Sequence, residues 1–251
     1  MLIAATTNCF RNLPLDQGLE KIADLEFSYI ELMFHETNSY LKPSVVADDL
    51  QGTLLRLKQL HRLIPVVFSV EITTEDKAEY LRQFTAICKL AKAMQVVTIA
   101  LHSAPKGTPF NEEVERLRLC VEAADQRGII VGLVTERDRL TEDLETAKMF
   151  CSVVPGLGLT LDPSHYIYKY VENKVNFESI FDLVVHVRLR DSRSDKFQVC
   201  VGQGTVEFGR LITHLAQHHY NQTLSVDIIP DDEVDVPQEM RKMRLLLESL
   251  L

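Results

Sequence analysis

The chain has 251 residues, 46% hydrophobic and 25% charged, enough to bury a full core in one domain over residues 1–251 and free of low-complexity or collagen-like bias. Its formal net charge of −9 repels phosphate backbones, and the small basic group Arg188, Arg190 and Arg193 is interleaved with Asp191 and followed by Asp195, so general nucleic-acid binding is not expected. No run approaches the roughly 18 apolar residues that span a bilayer, and Met1 to Ala5 hold no basic region or cleavage site, so a cytoplasmic protein without a membrane partner is expected.

In chain order, short β-branched or apolar runs alternate with longer stretches of helical period. The runs fall at residues 2–7, 29–33, 65–70, 96–102, 129–134, 158–162, 184–189 and 223–229, which predicts eight strands. Between the third and fourth, Leu81, Phe84, Cys88, Ala91 and Met94 recur at three- and four-residue steps, predicting a helix over 75–94 with one buried stripe. Val114, Leu117, Val121 and Ala124 repeat the pattern, and Gly128 stops that helix just before a strand. Thr141, followed by Glu142 and Asp143, reads as an N-cap with acids in the first turn. A last helix runs from about residue 237, with Met243, Leu246, Leu247 and Leu250 on its apolar face.

Eight βα units predict a closed (β/α)8 barrel, an α/β fold of the TIM type, rather than an open dinucleotide-binding sheet. The only G-x-G triplets, Gly156-Leu157-Gly158 and Gly202-Gln203-Gly204, open no G-x-x-G helix. Cys9, Cys88, Cys120, Cys151 and Cys200 are odd in number, widely spaced and without a C-x-x-C pair, so buried free thiols are expected.

Functional groups of such a barrel project from the C-terminal ends of the strands. The polar residues there are Asn8 with Cys9, Glu31, Ser69 with Glu71, His102, Asp162 with His165, Arg188 with Arg190 and Asp191, and Asp227. The sharpest element is the run from Gly158 into Asp162-Pro163-Ser164-His165, where a carboxylate and an imidazole three residues apart converge on one cation or substrate, or serve as a cap and a loop histidine. His102 is either a satisfied structural histidine or a ligand-binding one. Glu31 either receives a substrate hydroxyl or pairs with an arginine.

Taken in order, Tyr29-Ile30-Glu31-Leu32, Leu101-His102-Ser103, Gly156 to Tyr166, His186-Val187-Arg188-Leu189-Arg190-Asp191, Val201 to Phe208 and Leu224-Ser225-Val226-Asp227 make the whole chain resemble the xylose-isomerase-like barrels. That family includes sugar epimerases, hydroxypyruvate and inosose-type enzymes and the endonuclease IV relatives. In its epimerase branch the resemblance implies one divalent metal, held by a glutamate on strand five, an aspartate on strand six, a histidine on strand seven and a glutamate on strand eight. Here the strand-five position falls on Val134, with Glu136 two residues further; strand six supplies Asp162, strand seven Arg188 and strand eight the shorter Asp227.

Arginine has no lone pair to offer a metal. Arg188 is therefore expected between Asp162 and Asp227, supplying the positive charge in the metal's place, with no cofactor. The other arrangement has a weakly bound divalent metal on Asp162, His165 and Asp227, joined by His186.

The activity this implies is isomerisation or epimerisation of a small sugar, sugar acid or keto-acid, bound by Glu31, His102, Arg188 and Arg190. Arg188 or a weak metal polarises the carbonyl, and His165 or Asp227 moves the proton. The alternative is a barrel that keeps the pocket for binding or regulation without catalysis. A third, endonuclease-like DNA repair, has His102, Asp162 and His165 in its favour, and the acidic balance and Ser69 on strand three against it.

Overall fold

The computed structural model describes residues 1–37, 39–58, 62–169 and 177–251. Eight parallel strands close on themselves in sequence order: β1 Leu2–Thr6, β2 Tyr29–His35, β3 Ile64–Glu71, β4 Thr98–Leu101, β5 Ile130–Val134, β6 Leu157–Leu161, β7 Val184–Leu189 and β8 Thr223–Val226. Pairing of Ile3 with Leu224 and Ala5 with Val226 joins the first strand to the last. The eight runs read from the sequence are these strands, with β2 and β3 each two residues longer and β4 and β8 each three residues shorter than expected.

The outer ring begins with α1 Leu15–Asp24, α2 Pro43–Asp48, α3 Leu50–Leu57, α4 Lys77–Ala93 and α5 Phe110–Asp125. It continues with α6 Leu144–Val153, the single-turn α7 Ser164–Ile167, α8 Phe208–Gln217 and α9 Val236–Leu250. Asp76, Asp143 and Asp235 cap α4, α6 and α9 by accepting from the amides of Ala78 and Glu79, Thr146, and Gln238. The expected Thr141 cap is thus Asp143. Thr141 lies in the preceding 3₁₀ turn, Leu140–Glu142, and its hydroxyl donates 2.7 Å to the carbonyl of Val134. Among the described residues all five cysteines are free, with Cys9, Cys88 and Cys120 buried and the other two half-buried. No described helix is long and apolar enough to cross a membrane.

The core lies almost wholly between strands and helices, where Ile30, Phe68, Ile99, Leu133, Leu161, Val187 and Leu224 face Leu19, Phe84, Leu117, Phe150 and Met243. Inside the barrel Val67, Ala100 and Val134 form a small apolar cluster, with Val66 beside them. Because side chains alternate along a strand, residues two steps on from these face the same interior and rise towards the mouth: Ser69, His102 and Glu136.

Charged residues are buried in this interior as well. Glu31 and His186 are fully buried, and Arg188 is 6% exposed. Arg188 donates from Nε (2.8 Å) and Nη2 (2.6 Å) to Glu31 Oε1, and His186 Nε2 lies 2.9 Å from Oε2. Burial alone would push the Glu31 carboxyl up, but Arg188 and His186 overcome it and hold the group well below the usual carboxylate range. Arg188→Met leaves that carboxylate buried with half its partners and is expected to cost about 3–5 kcal/mol in urea unfolding, whereas the double change Glu31→Leu with Arg188→Met recovers much of it.

Candidate active site

The mouth of the barrel is built around a second arginine. Arg190 is 4% exposed and touches both Asp162 and Asp227: Nη2 lies 3.1 Å from Asp162 Oδ2, closer still to Asp227 Oδ2, and Nε donates 3.1 Å to the Asp227 carbonyl. Its guanidinium sits over the Phe197 ring, 4.9 Å from the centroid, and the His165 ring also packs against Phe197, tilted, at 4.7 Å. Phe197 comes from the loop after β7.

The expected place of Arg188 is therefore corrected. Its direct partners are Glu31 and Ser69 Oγ (2.7 Å), one layer deeper, and Arg190 stands between the two carboxylates. The reason is depth. His186, Arg188 and Arg190 alternate onto the same face of β7, and the pairing of Arg188 with Ser225 and Leu189 with Val226 sets Arg190 level with Asp227, from where its guanidinium also reaches Asp162.

Each carboxylate is further anchored. Asp227 Oδ1 accepts from Thr6 Oγ1 at 2.7 Å and Asn8 Nδ2 at 2.8 Å. Asp162 Oδ1 accepts from the amide of Ser164 at 3.1 Å and from its hydroxyl. Burial raises the Asp227 carboxyl, but Arg190, then Arg188, Asn8 and Thr6, bring it below its ordinary value of 3.8. Asp227, the proton carrier expected from the sequence, is thus surrounded by donors from β1 and β7 and paired with Arg190.

The two mouth histidines differ in how they are held. His165 Nδ1 accepts the amide N–H of Arg137 at 3.2 Å, so the neutral ring carries its proton on Nε2, 3.7 Å from Asp162 Oδ2. Burial pushes its pKa down against the pull of Asp162. His102 Nδ1 lies 2.6 Å from Glu136 Oε2, and Glu136 also meets Arg139 Nε at 3.0 Å. Burial raises the Glu136 carboxyl, but His102 and Arg139 outweigh it and keep it ionised, far below the ordinary range.

Glu136, on the interior face two residues past Val134, is thus in the site as an orienter of His102. His35 was not foreseen; its Nε2 lies 2.9 Å from Ser69 Oγ, and its ring packs edge-on to His102 at 5.2 Å. Thr6 and Asn8 were likewise missed as partners of Asp227, although both close β1 at the level where β8 ends.

The Gly202-Gln203-Gly204 segment proves structural. The amides of Gly202 and Gly204 donate to Asp191 Oδ2 at 2.9 and 2.8 Å, and a Cβ at Gly204 would fall 1.8 Å from Asp191 Oδ1. Asp191 thereby pins the loop that carries Phe197.

A divalent metal does not fit this arrangement. Among the described residues no three His, Cys, Asp or Glu side chains converge as a ligand set, and the two carboxylates that come closest share a guanidinium. An ion pair that depresses Asp227 stabilises the fold above the ordinary carboxyl value and loses that contribution as pH falls through the lowered one. Arg190→Met is therefore expected to lose about 3–5 kcal/mol at pH 7 in denaturant titrations, the gap from the native protein closing as pH drops below 3.8.

The xylose isomerase-like TIM barrel family matches residues 19–249. A xylose isomerase domain protein from Alicyclobacillus acidocaldarius superposes with a TM-score of 0.78 at 16% identity, covering 100% of this chain and 98% of that one. A xylose isomerase domain protein from Planctomyces limnophilus gives 0.74 at 18%, covering 99% and 95%. The 3-keto-D-glucoside 4-epimerase of E. coli gives 0.75 at 15%, covering 99% of each chain. At these identities the likeness establishes the fold. No curated protein matches the chain in sequence. With the matched segment running from α1 to the end of α9, the chain belongs to the xylose isomerase-like TIM barrel family.

Proposed function

We propose that the chain binds a small sugar, sugar acid or keto-acid at the barrel mouth and acts on it as a metal-independent isomerase or epimerase. The observation that carries this reading is Arg190, a permanent cation fixed between Asp162 and Asp227 at the strand ends where such barrels do their chemistry. The sugar-epimerase and isomerase neighbours of the fold supply the ligand class.

A ligand carbonyl oriented towards Arg190 meets fixed positive charge in a site with little water, where electrostatic stabilisation of a developing enolate is strongest. His165 offers its Nε2 proton from the same side, and Phe197 supplies an apolar face against which a sugar ring packs. Asp227 and Asp162 hold the guanidinium and keep it from rotating away.

A purely binding or regulatory barrel is the second reading, favoured by the saturation of Asp227. The two readings part on turnover. Protein purified without chelator is expected to carry well under one divalent ion per chain by elemental analysis, and to epimerise or isomerise a reactive sugar at an unchanged rate in EDTA. Binding without turnover selects the second reading, and a stoichiometric ion whose removal abolishes binding rejects both.

A further inference from the structure

The proton-transfer step of the proposed reaction needs a base as well as a cation, and Asp227 is too well satisfied to serve. We propose that His102 is the catalytic base, acting through Nε2, with Glu136 as its positioning residue. This rests on the metal-free isomerase reading and supplies the residue that it lacks.

The geometry sets the two mouth histidines in opposite tautomers. Because Glu136 is ionised, it only accepts, so His102 Nδ1 must donate across the 2.6 Å contact, and the neutral ring then carries its lone pair on Nε2. His165 has the reverse arrangement, its Nδ1 being occupied by the Arg137 amide. One ring is ready to take a proton and the other to give one, and they are near enough for the charge of His102 to bear on His165.

Among the described residues His102 Nε2 is also buried without a hydrogen-bond partner, although its side chain is 9% exposed and most buried polar atoms are satisfied. Its position on the interior face, two residues past Ala100, aims it into the barrel mouth rather than towards the helices.

The backbone around His102 is held as firmly as the ring. Its amide donates to Val70 at 3.4 Å, its carbonyl accepts from Arg116 Nη2 at 3.1 Å, and Glu113 takes the amide of Ala104 at 2.9 Å. Glu113 and Arg116 are themselves paired on α5. A histidine fixed on both sides, with one ring nitrogen left over, has the construction of a preorganised base.

The step balances without a further reagent. The proton on the carbon next to the ligand carbonyl moves to His102 Nε2. The electron pair of that C–H bond forms a carbon–carbon double bond, and the carbonyl oxygen, facing Arg190, takes the His165 Nε2 proton to give an enediol. Reversal returns a proton to carbon and restores both rings. While protonated, His102 can exchange that proton with water.

The test uses the full chain with D-fructose and D-ribulose in D₂O, following deuterium entry at the carbon next to the carbonyl by NMR and sugar binding by calorimetry. The native protein is expected to exchange. His102→Gln should slow exchange by about 100-fold or more and Glu136→Gln by about 10- to 100-fold, both with sugar affinity within about threefold. Nitrogen-15 NMR of the unliganded native protein should place the His102 proton on Nδ1 and the His165 proton on Nε2, a readout that needs no variant to fold. Undiminished exchange in His102→Gln, or a His102 proton on Nε2, overturns the assignment. Absence of exchange in the native protein also overturns it: if the sugars still bind, the metal-free carbohydrate site stands, and if they do not, both readings fall.

Discussion

The guanidinium of Arg190 shared between Asp162 and Asp227 is the contact on which the mouth of this barrel depends. Three acids, Glu31, Asp162 and Asp227, are drawn into an interior that most barrels fill with aliphatic side chains, and a buried carboxylate without a partner costs several kcal/mol. Strand β7 resolves this with a row of inward-facing bases at two-residue steps. His186 and Arg188 take Glu31 at depth, and Arg190 takes the two aspartates at the top. One strand thus neutralises carboxylates from β2, β6 and β8, and ties both sides of the barrel seam together.

An arginine and a metal ion impose different chemistry. A metal can be lost, exchanged or used to lower the pKa of a bound water, whereas a guanidinium is always charged, cannot dissociate and directs planar donors. Its cost is that the carboxylates that hold it are no longer bases. In the proposed reaction proton movement then falls to imidazoles, and the second half of the mouth holds two of them: His102 meets Glu136, Glu136 meets Arg139, and His165 accepts the Arg137 amide.

Much of the fold was legible because strands and helices here follow their hydrophobic periods closely. The stripe through Phe84, Cys88 and Ala91 and the stop at Gly128 lie where the periodicity puts them. The Thr141 cap misled because an extra 3₁₀ turn gives threonine a carbonyl partner and leaves Asp143 to begin the helix. At the site, the residue types at the strand ends were legible: Asp162, Asp227, His165 and His102 all line the mouth. What the sequence does not carry is depth. Whether Arg188 or Arg190 meets the aspartates depends on the stagger of neighbouring strands, which sets Arg190 level with Asp227 and which no local pattern encodes. Glu136 was visible as the acid two residues past the strand-five position, but not its partner: it lies just beyond the end of β5 and meets His102.

The central claim is that Arg190 occupies the place a divalent ion takes in metal-dependent members of the fold. Anomalous diffraction from crystals soaked in manganese tests it most directly. The account predicts continuous density from the Arg190 guanidinium to both Asp162 and Asp227 and no anomalous peak between the carboxylates. A peak there, with the Arg190 side chain swung aside, would contradict it.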